Sequence, residues 1–153
     1  MRSSGLIFKP YLSGERTPHM NAALRSSFQQ LGLHHTRAHL ARAALEGVAF
    51  SIADGLAALR AAGVEVTALR LAGGGTLQTP WRQLLSDALD VPLLTGGAPD
   101  ASARGAAVLA GLSIGVYASP LETAALLPAP ELVATPAPSA ALREALASFR
   151  ATS

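Results

Sequence analysis

Three consecutive glycines, Gly73, Gly74 and Gly75, are the residues of this chain whose type and spacing best suit chemistry. They follow Leu69-Arg70-Leu71-Ala72, an apolar run that predicts a buried strand, and Thr79-Pro80-Trp81 then begins a predicted helix. Glycine lets the backbone approach a ligand closely, and the free N–H groups and dipole of a helix N-terminus favour an anion. The stretch therefore predicts either a tight structural turn or a site of phosphate size.

Of the two common glycine motifs of nucleotide-binding proteins, the P-loop is excluded and the dinucleotide fingerprint is disfavoured. A P-loop needs a lysine directly after its last glycine, and the only lysine of the chain is Lys9. A dinucleotide fingerprint needs a third glycine where Gln78 stands, and an acid after the next strand, where Thr95-Gly96 stands. What remains is a tight structural turn or a glycine turn that could hold a nucleotide by another geometry.

Composition limits the class of protein. The chain has 153 residues, of which 50% are hydrophobic and 14% charged, so it has enough apolar material for one folded domain or a large piece of one. The net charge of +2 is spread without a basic run, which argues against nucleic-acid binding. The chain contains no cysteine, which excludes disulfides, and no apolar run reaches the ~18 residues of a membrane span. We expect a cytoplasmic protein.

The elements that must position the glycines follow from hydrophobic periodicity. The predicted order is strand, long helix, strand, helix, strand, helix, which indicates an α/β fold with few strands and helices packed on them. The apolar run Leu6-Ile7-Phe8 reads as a strand already inside a domain. Together with the small number of strands, it leads us to expect a piece of something longer.

Two helices carry recognisable boundaries. Thr36 is a candidate N-cap for the long helix, which is expected to end near Gly63. In the following helix Pro80 suits the first position after a Thr79 cap. The stripe expected to face the core in the long helix consists of Leu45, Val48, Ile52, Leu56 and Leu59. The corresponding stripe in the second helix consists of Trp81, Leu84, Leu85, Ala88 and Leu89.

Four segments taken together resemble the C-terminal half of carbohydrate kinases of the FGGY family, most closely its xylulokinase branch. The first is PYLSGERTPH at residues 10–19, and the second is LEGVAF at residues 45–50. The glycines 73–75 with Trp-Arg-Gln at 81–83 form the third, and Gly-Ala-Ala at 105–107 forms the fourth. The first motif is the most specific of the four for the xylulokinase branch.

The resemblance implies a fold and a reaction. It implies part of a ribonuclease H-like domain of the actin/hexokinase type, one of two domains that face each other across a cleft. ATP with Mg²⁺ would bind mainly to this domain, and the sugar would bind through an N-terminal domain outside the chain. The family's catalytic aspartate also lies upstream of the matched region. The resemblance therefore implies no catalytic residue and no metal ligand in this chain.

The nucleotide-binding role falls on the glycine turn by motif position. The resemblance implies contacts from Gly73, Gly74, Gly75 and Gln78, and the position of Thr76 suggests a further contact from its hydroxyl. Residues 1–128 would then be a partial nucleotide-binding domain, and 129–153 a proline-containing linker with a terminal helix.

The expected function is the nucleotide-binding portion of an ATP-dependent sugar kinase, which in full length would convert D-xylulose to xylulose 5-phosphate. The alternative is a non-catalytic nucleotide-binding or structural remnant, because Met20 to Ser26 departs from the family pattern. Glu15 and Arg16 either line the interdomain cleft or form an ion pair within their turn. Arg82 and Gln83 are expected near the nucleotide, and a homodimer is expected from the exposed surface of a half-domain.

Overall fold

The computed structural model describes residues 5–96, 100–127 and 129–152 of the chain. It has the expected mixed α/β architecture with few strands. The strands are β1 (Ile7–Lys9), β2 (Ser27–Gln29), β3 (Leu69–Leu71), β4 (Leu93–Thr95) and β5 (Glu131–Ala134). The helices are α1 (Arg37–Ala61), α2 (Thr79–Leu89), α3 (Ala101–Ser113), α4 (Pro120–Ala124) and α5 (Ala140–Ala151). The predicted boundary residue Pro128 lies outside the described ranges.

The strands form two separate sheets. In the larger sheet β4 is central: it runs parallel to β3, with Leu69 opposite Leu93, and antiparallel to β5, with Leu93 also opposite Ala134. In the smaller sheet β1 and β2 are antiparallel, with Phe8 opposite Phe28. Because β3 and β4 are parallel and joined through α2, their carboxyl ends lie at the same edge of the sheet. The glycine turn follows β3 at this edge.

Helix α1 has the predicted boundaries but buries a different face. Thr36 is its N-cap, and Gly63 has a φ of +84°, the left-handed conformation expected just after a helix. Of the predicted stripe only Leu56 is buried, at 4% exposure, so this prediction was wrong. The other four residues are 38–50% exposed, namely Leu45, Val48, Ile52 and Leu59.

Small residues help to explain why a neighbouring face of α1, and not the predicted stripe, is the buried one. Ala43, Ala49 and Ala53 are buried there, and they let β1 and α2 approach the helix axis closely. Gly47 is the closest contact, since an added Cβ would lie 2.1 Å from the carbonyl oxygen of Phe8. The fit of the neighbouring elements thus determines which face of α1 is buried, and four of the five residues of the predicted stripe stay exposed.

Helix α2 matches its predicted pattern more closely. Leu84, Leu85, Ala88 and Leu89 are buried, and Trp81 packs against the core at its edge. The N-cap is Gln78 and not Thr79, which is the first helical residue, so the predicted cap was wrong by one position. Helix ends commonly differ by this amount, because the capping residue is only half inside the helix.

The segment 129–152 contributes to the same core as the rest of the chain. Residues 131–134 form β5, a strand that the proline-containing pattern did not predict. In α5 the side chain of Phe149 is fully buried and meets Phe50 of α1 edge to face, with ring centroids 5.6 Å apart. Arg150 also forms an ion pair of 2.7 Å with Asp54 on α1. In the described residues no helix has both the length and the apolar character needed to cross a bilayer.

Candidate functional site

The glycine turn connects the end of β3 to the start of α2. Gly73 has φ +90° and ψ 158°, a backbone conformation that is essentially restricted to glycine. A single 3₁₀ turn, Gly74–Thr76, follows, and α2 begins three residues later at Thr79. The backbone angles of Gly73 therefore require a glycine, whereas those of Gly74 and Gly75 do not.

Hydrogen bonds inside the turn hold it in one conformation. The Thr76 N–H and hydroxyl both donate to the Gly73 carbonyl, at 3.2 and 2.7 Å, and the Leu77 N–H donates to the Gly74 carbonyl at 3.3 Å. The Thr76 hydroxyl proton is thereby used within the turn. In this conformation the oxygen of Thr76 can accept a hydrogen bond but has no proton left for a phosphate. Its predicted contact with a nucleotide stays a prediction.

The next two glycines present a different situation. Within the described part of the chain, the N–H groups of Gly74 and Gly75 donate to no protein acceptor. Both residues are exposed, and a Cβ added at either one would meet no atom within 4 Å. Two backbone donors without a protein acceptor therefore lie on exposed residues shortly before the start of a helix. This arrangement suits an anion, because such donors and the helix dipole both favour negative charge.

The first turn of α2 adds to this electrostatic preference. The helix has no acidic residue there to offset its dipole. The Gln78 carbonyl accepts the N–H groups of Trp81 and Arg82 at 3.1 and 3.0 Å, while the Gln78 side chain is exposed and makes no capping bond. That amide can reach a ligand at the turn without breaking a bond that holds the helix.

The three side chains of the Trp-Arg-Gln block contact three different parts of the structure. Trp81 packs against the core, so it is not a free stacking platform. Arg82 reaches back and donates from its Nε atom to the Thr76 carbonyl of the turn. Gln83 donates instead to Asp87 at 2.8 Å and to the Thr135 carbonyl at 2.9 Å. Of the two residues expected near a nucleotide, the fold brings only Arg82 to the turn.

Glu15 and Arg16 lie in a loop of the β1–β2 region. The Glu15 carboxylate accepts the N–H of Thr17 at 2.5 Å and the N–H of His19 at 2.8 Å, so it braces its own loop. The ion pairs of the described residues are Arg42–Glu46 and Arg150–Asp54, and the suggested pair between Glu15 and Arg16 is not among them. Both residues do line a surface recess of ≈ 520 Å³, and their role in a cleft stays a prediction.

A protein-built metal centre finds no support in the part of the chain that the structure describes. Among those residues there is no group of three His, Asp or Glu side chains placed to hold an ion. His35 and His39 are close, with ring centroids 5.6 Å apart, but the Nδ1 of His39 accepts the N–H of Thr36 at the start of α1. This pair therefore serves the local structure of the helix start.

The matched sequence decides the family. Residues 2–114 match the family described as the FGGY family of carbohydrate kinases, C-terminal domain. The chain belongs to this family. A xylulose kinase of Staphylococcus epidermidis is 39% identical over 117 residues, which cover 76% of this chain and 24% of that protein. A glycerol kinase of Geobacter is 38% identical over 125 residues, which cover 81% of this chain and 24% of that protein.

Solved structures agree with the family. A Plasmodium falciparum glycerol kinase with ADP superposes with a TM-score of 0.78 at 27% identity, covering 99% of this chain and 30% of that chain. The xylulose kinase of Rhodospirillum rubrum superposes with a TM-score of 0.71 at 30% identity, covering 98% of this chain and 30% of that chain. These neighbours support the actin/hexokinase-type domain that the motifs predicted. The chain spans about a quarter of the length of the curated relatives it matches.

Proposed function

We propose that this chain is the nucleotide-binding portion of an ATP-dependent sugar kinase. The observation that carries the proposal is the pair of N–H donors on the exposed residues Gly74 and Gly75, which donate to no acceptor among the described residues and lie shortly before the N-terminus of α2. Transfer of a phosphoryl group depends mostly on positioning and on stabilising negative charge, and backbone donors at a helix start do both. Membership of a family of carbohydrate kinases supports the same assignment.

The proposed reaction is transfer of the γ-phosphoryl group of ATP to D-xylulose, giving ADP and xylulose 5-phosphate. Relatives named xylulose kinases and the PYLSGERTPH motif support this sugar, although glycerol kinases are also among the relatives. The sugar contacts and the catalytic base are assigned to the remainder of a full-length kinase. This chain alone is therefore expected to bind nucleotide without transferring phosphate.

We propose that Mg²⁺ reaches the site together with ATP. Magnesium is commonly held by phosphate oxygens, one or two carboxylates and water, so binding at this turn needs no metal cage built by the protein. In this proposal the metal is carried mainly by the nucleotide. When bound, it would neutralise part of the phosphate charge.

Calorimetry with MgATP on Gly74→Val tests the proposal. A side chain at Gly74 has room within the protein but would occupy the space where a phosphate must approach. We expect the wild type to bind ATP and the variant to lose at least about tenfold in affinity. Gly55→Val on α1 is the matched control, because an added Cβ there also meets no atom within 4 Å. Absence of ATP binding by the wild type would refute the proposal.

A second experiment distinguishes a working half of a kinase from a non-catalytic remnant. The remaining part of a xylulose kinase, supplied as a separate chain with D-xylulose and MgATP, should restore phosphoryl transfer if this chain is a working half. The remnant is favoured by the loop at Met20, where the residue is 80% exposed with φ +49° and the family pattern is lost. ATP binding without any transfer in the mixture would support the remnant.

The assembly and location of the protein are also proposals. We propose that the chain self-associates through the apolar residues exposed on α1, Leu45, Val48 and Ile52, which light scattering of the purified chain would detect. A monomer at every concentration would refute this. The proposed location is the cytoplasm, where sugar phosphorylation has access to ATP, and cell fractionation would test it.

A further inference from the structure

Arg82 makes a contact that links the core of the domain to the glycine turn. Its Nε atom donates to the Thr76 carbonyl, six residues earlier in the chain. Its own N–H donates to the Gln78 carbonyl at 3.0 Å, so the main chain of Arg82 is fixed in the first turn of α2. The helix is in turn fixed to the core by Leu84 and Leu85, which are each 4% exposed. The turn is therefore tied to a rigid element through one side chain.

Arg82 contacts the turn at Thr76, the residue whose hydrogen bonds to Gly73 close the turn. Thr76 carries both hydrogen bonds to the Gly73 carbonyl, and its own carbonyl is the group that Arg82 holds. Without that donor, the turn would be joined to α2 only through Leu77 and Gln78, which are both exposed. A turn that moves presents its Gly74 and Gly75 donors in many directions, and a ligand must then supply the free energy of ordering them.

We infer that Arg82 is a positioning residue for nucleotide binding, acting through its Nε donor and not through its charge. The inference rests on the proposed function of the turn and adds to it the residue that sets the turn's conformation. The half-buried guanidinium acts on Thr76, and the backbone donors of the glycines act on the phosphates. Sequence alone suggested only that Arg82 lies near the nucleotide, without a role for its Nε atom.

Two substitutions separate the donor from the charge, because the donating atom is Nε and not a terminal nitrogen. Arg82→Gln places its amide nitrogen the same number of bonds from the backbone as Nε, so the donor is kept and the charge is lost. Arg82→Lys keeps the charge but places a CH₂ group at the Nε position. The two variants therefore remove one property each, and both are compatible with an α-helix.

The experiment is calorimetry of MgATP binding to the 153-residue chain and to both variants. We expect Arg82→Gln to bind within about twofold of the wild type and Arg82→Lys to bind about tenfold more weakly, a loss within the range of one ordinary hydrogen bond. Arg25→Lys is the matched control, since Arg25 also donates to backbone carbonyls, those of Ala22 and Leu24, in another loop. Its affinity for ATP should equal that of the wild type.

Every other pattern overturns the inference. Strong binding by Arg82→Lys with weak binding by Arg82→Gln would assign a charge contact with the phosphates. Equal affinities in the two variants, whether high or low, would mean that the Nε donor does not determine the affinity for MgATP. A merely structural role would lower the melting temperature in parallel with affinity, whereas we expect the same melting temperature for both variants.

A second measurement keeps the inference independent of the proposed function. Hydrogen exchange of the Thr76 and Leu77 amides, which close the turn, should be faster in Arg82→Lys than in Arg82→Gln or the wild type. If the wild type binds no ATP, the proposed function fails, and the role of Arg82 in nucleotide binding fails with it. Equal exchange rates would instead overturn the positioning itself, even if ATP binds.

Discussion

Gly47 and Gly74 show how differently two glycines of one small domain are used. Gly47 lies at the contact of α1 with β1, where an added Cβ would be 2.1 Å from the Phe8 carbonyl oxygen. Gly74 lies in the turn after β3, where an added Cβ would meet no atom within 4 Å. The first glycine is required by the protein's own packing, whereas no packing within the described chain requires the second. A glycine that the fold leaves uncrowded, and whose N–H has no acceptor among the described residues, is the better candidate for contact with a ligand.

The surroundings of the two glycines extend this contrast. Around Gly47 the elements β1, α1 and α5 close on one another, with Lys9 donating to the Phe149 carbonyl and lying over the Phe149 ring. Asp54 and Arg150 add an ion pair between α1 and α5. Around Gly74 the residues are exposed, and two backbone N–H groups have no acceptor among the described residues. The packed region is therefore held by contacts between elements, whereas the turn keeps two N–H donors without an acceptor among the described residues.

The largest expected effect comes from Gly47→Ala. The added methyl group forces α1 and β1 apart, and overpacking of this kind costs about 3 kcal/mol in free energy of unfolding. Gly55→Ala on the same helix is the control, because its Cβ meets no atom within 4 Å and should stabilise by about 0.5–1 kcal/mol. Urea unfolding of both variants measures the difference. Equal stabilities would show that the contact with Phe8 relaxes at no cost, and the contrast with Gly74 would fail.

An intermediate effect is expected within the turn itself. Gly73→Ala should lose about 2 kcal/mol, because φ +90° with ψ 158° is strained for any side chain. Gly74→Ala should change stability by less than about 0.5 kcal/mol, as is usual for an exposed site with no crowding. Thermal or urea unfolding compares the two adjacent positions. A cost at Gly74 as large as that at Gly73 would mean that the fold, and not a ligand, requires both glycines.

The smallest effect concerns pH in the packed region. Burial raises the pKa of Tyr11, and the nearby carboxylates of Asp54 and Glu15 raise it further. Since the pKa in the folded state lies above the unfolded value, this contribution to stability is complete below about pH 10. It is lost as the pH rises further, by at most about 1.4 kcal/mol per pH unit for one group.

Tyr11→Phe should therefore gain stability relative to the wild type between pH 8 and pH 11. Burial lowers the pKa of Lys9, whose contribution changes in the opposite direction with pH, but Lys9 is present in both proteins and largely cancels in the comparison. Urea unfolding at both pH values gives the difference. A stability gap that does not change with pH would show that Tyr11 is as accessible to water as a residue of the open turn.

The sequence by itself determined the family, the α/β class, the strand–glycine–helix order around Gly73 and the buried stripe of α2. These features depend on local chemistry: a glycine at φ +90°, a proline at a helix start and apolar residues at helical spacing each act within a few positions. The family followed from motifs that are equally local. Such features can be predicted without knowing which parts of the chain come together.

The tertiary structure alone decided which face of α1 is buried, that residues 131–134 form a strand, and that Arg82 reaches the turn while Gln83 reaches Thr135. Periodicity favoured Leu45, Val48 and Ile52 for the core of α1, but the neighbouring elements needed the small face around Gly47. The partners in these contacts lie far apart in the chain or depend on how closely two backbones approach. Physical fit between elements is a property of the assembled fold, so no local pattern could have given it.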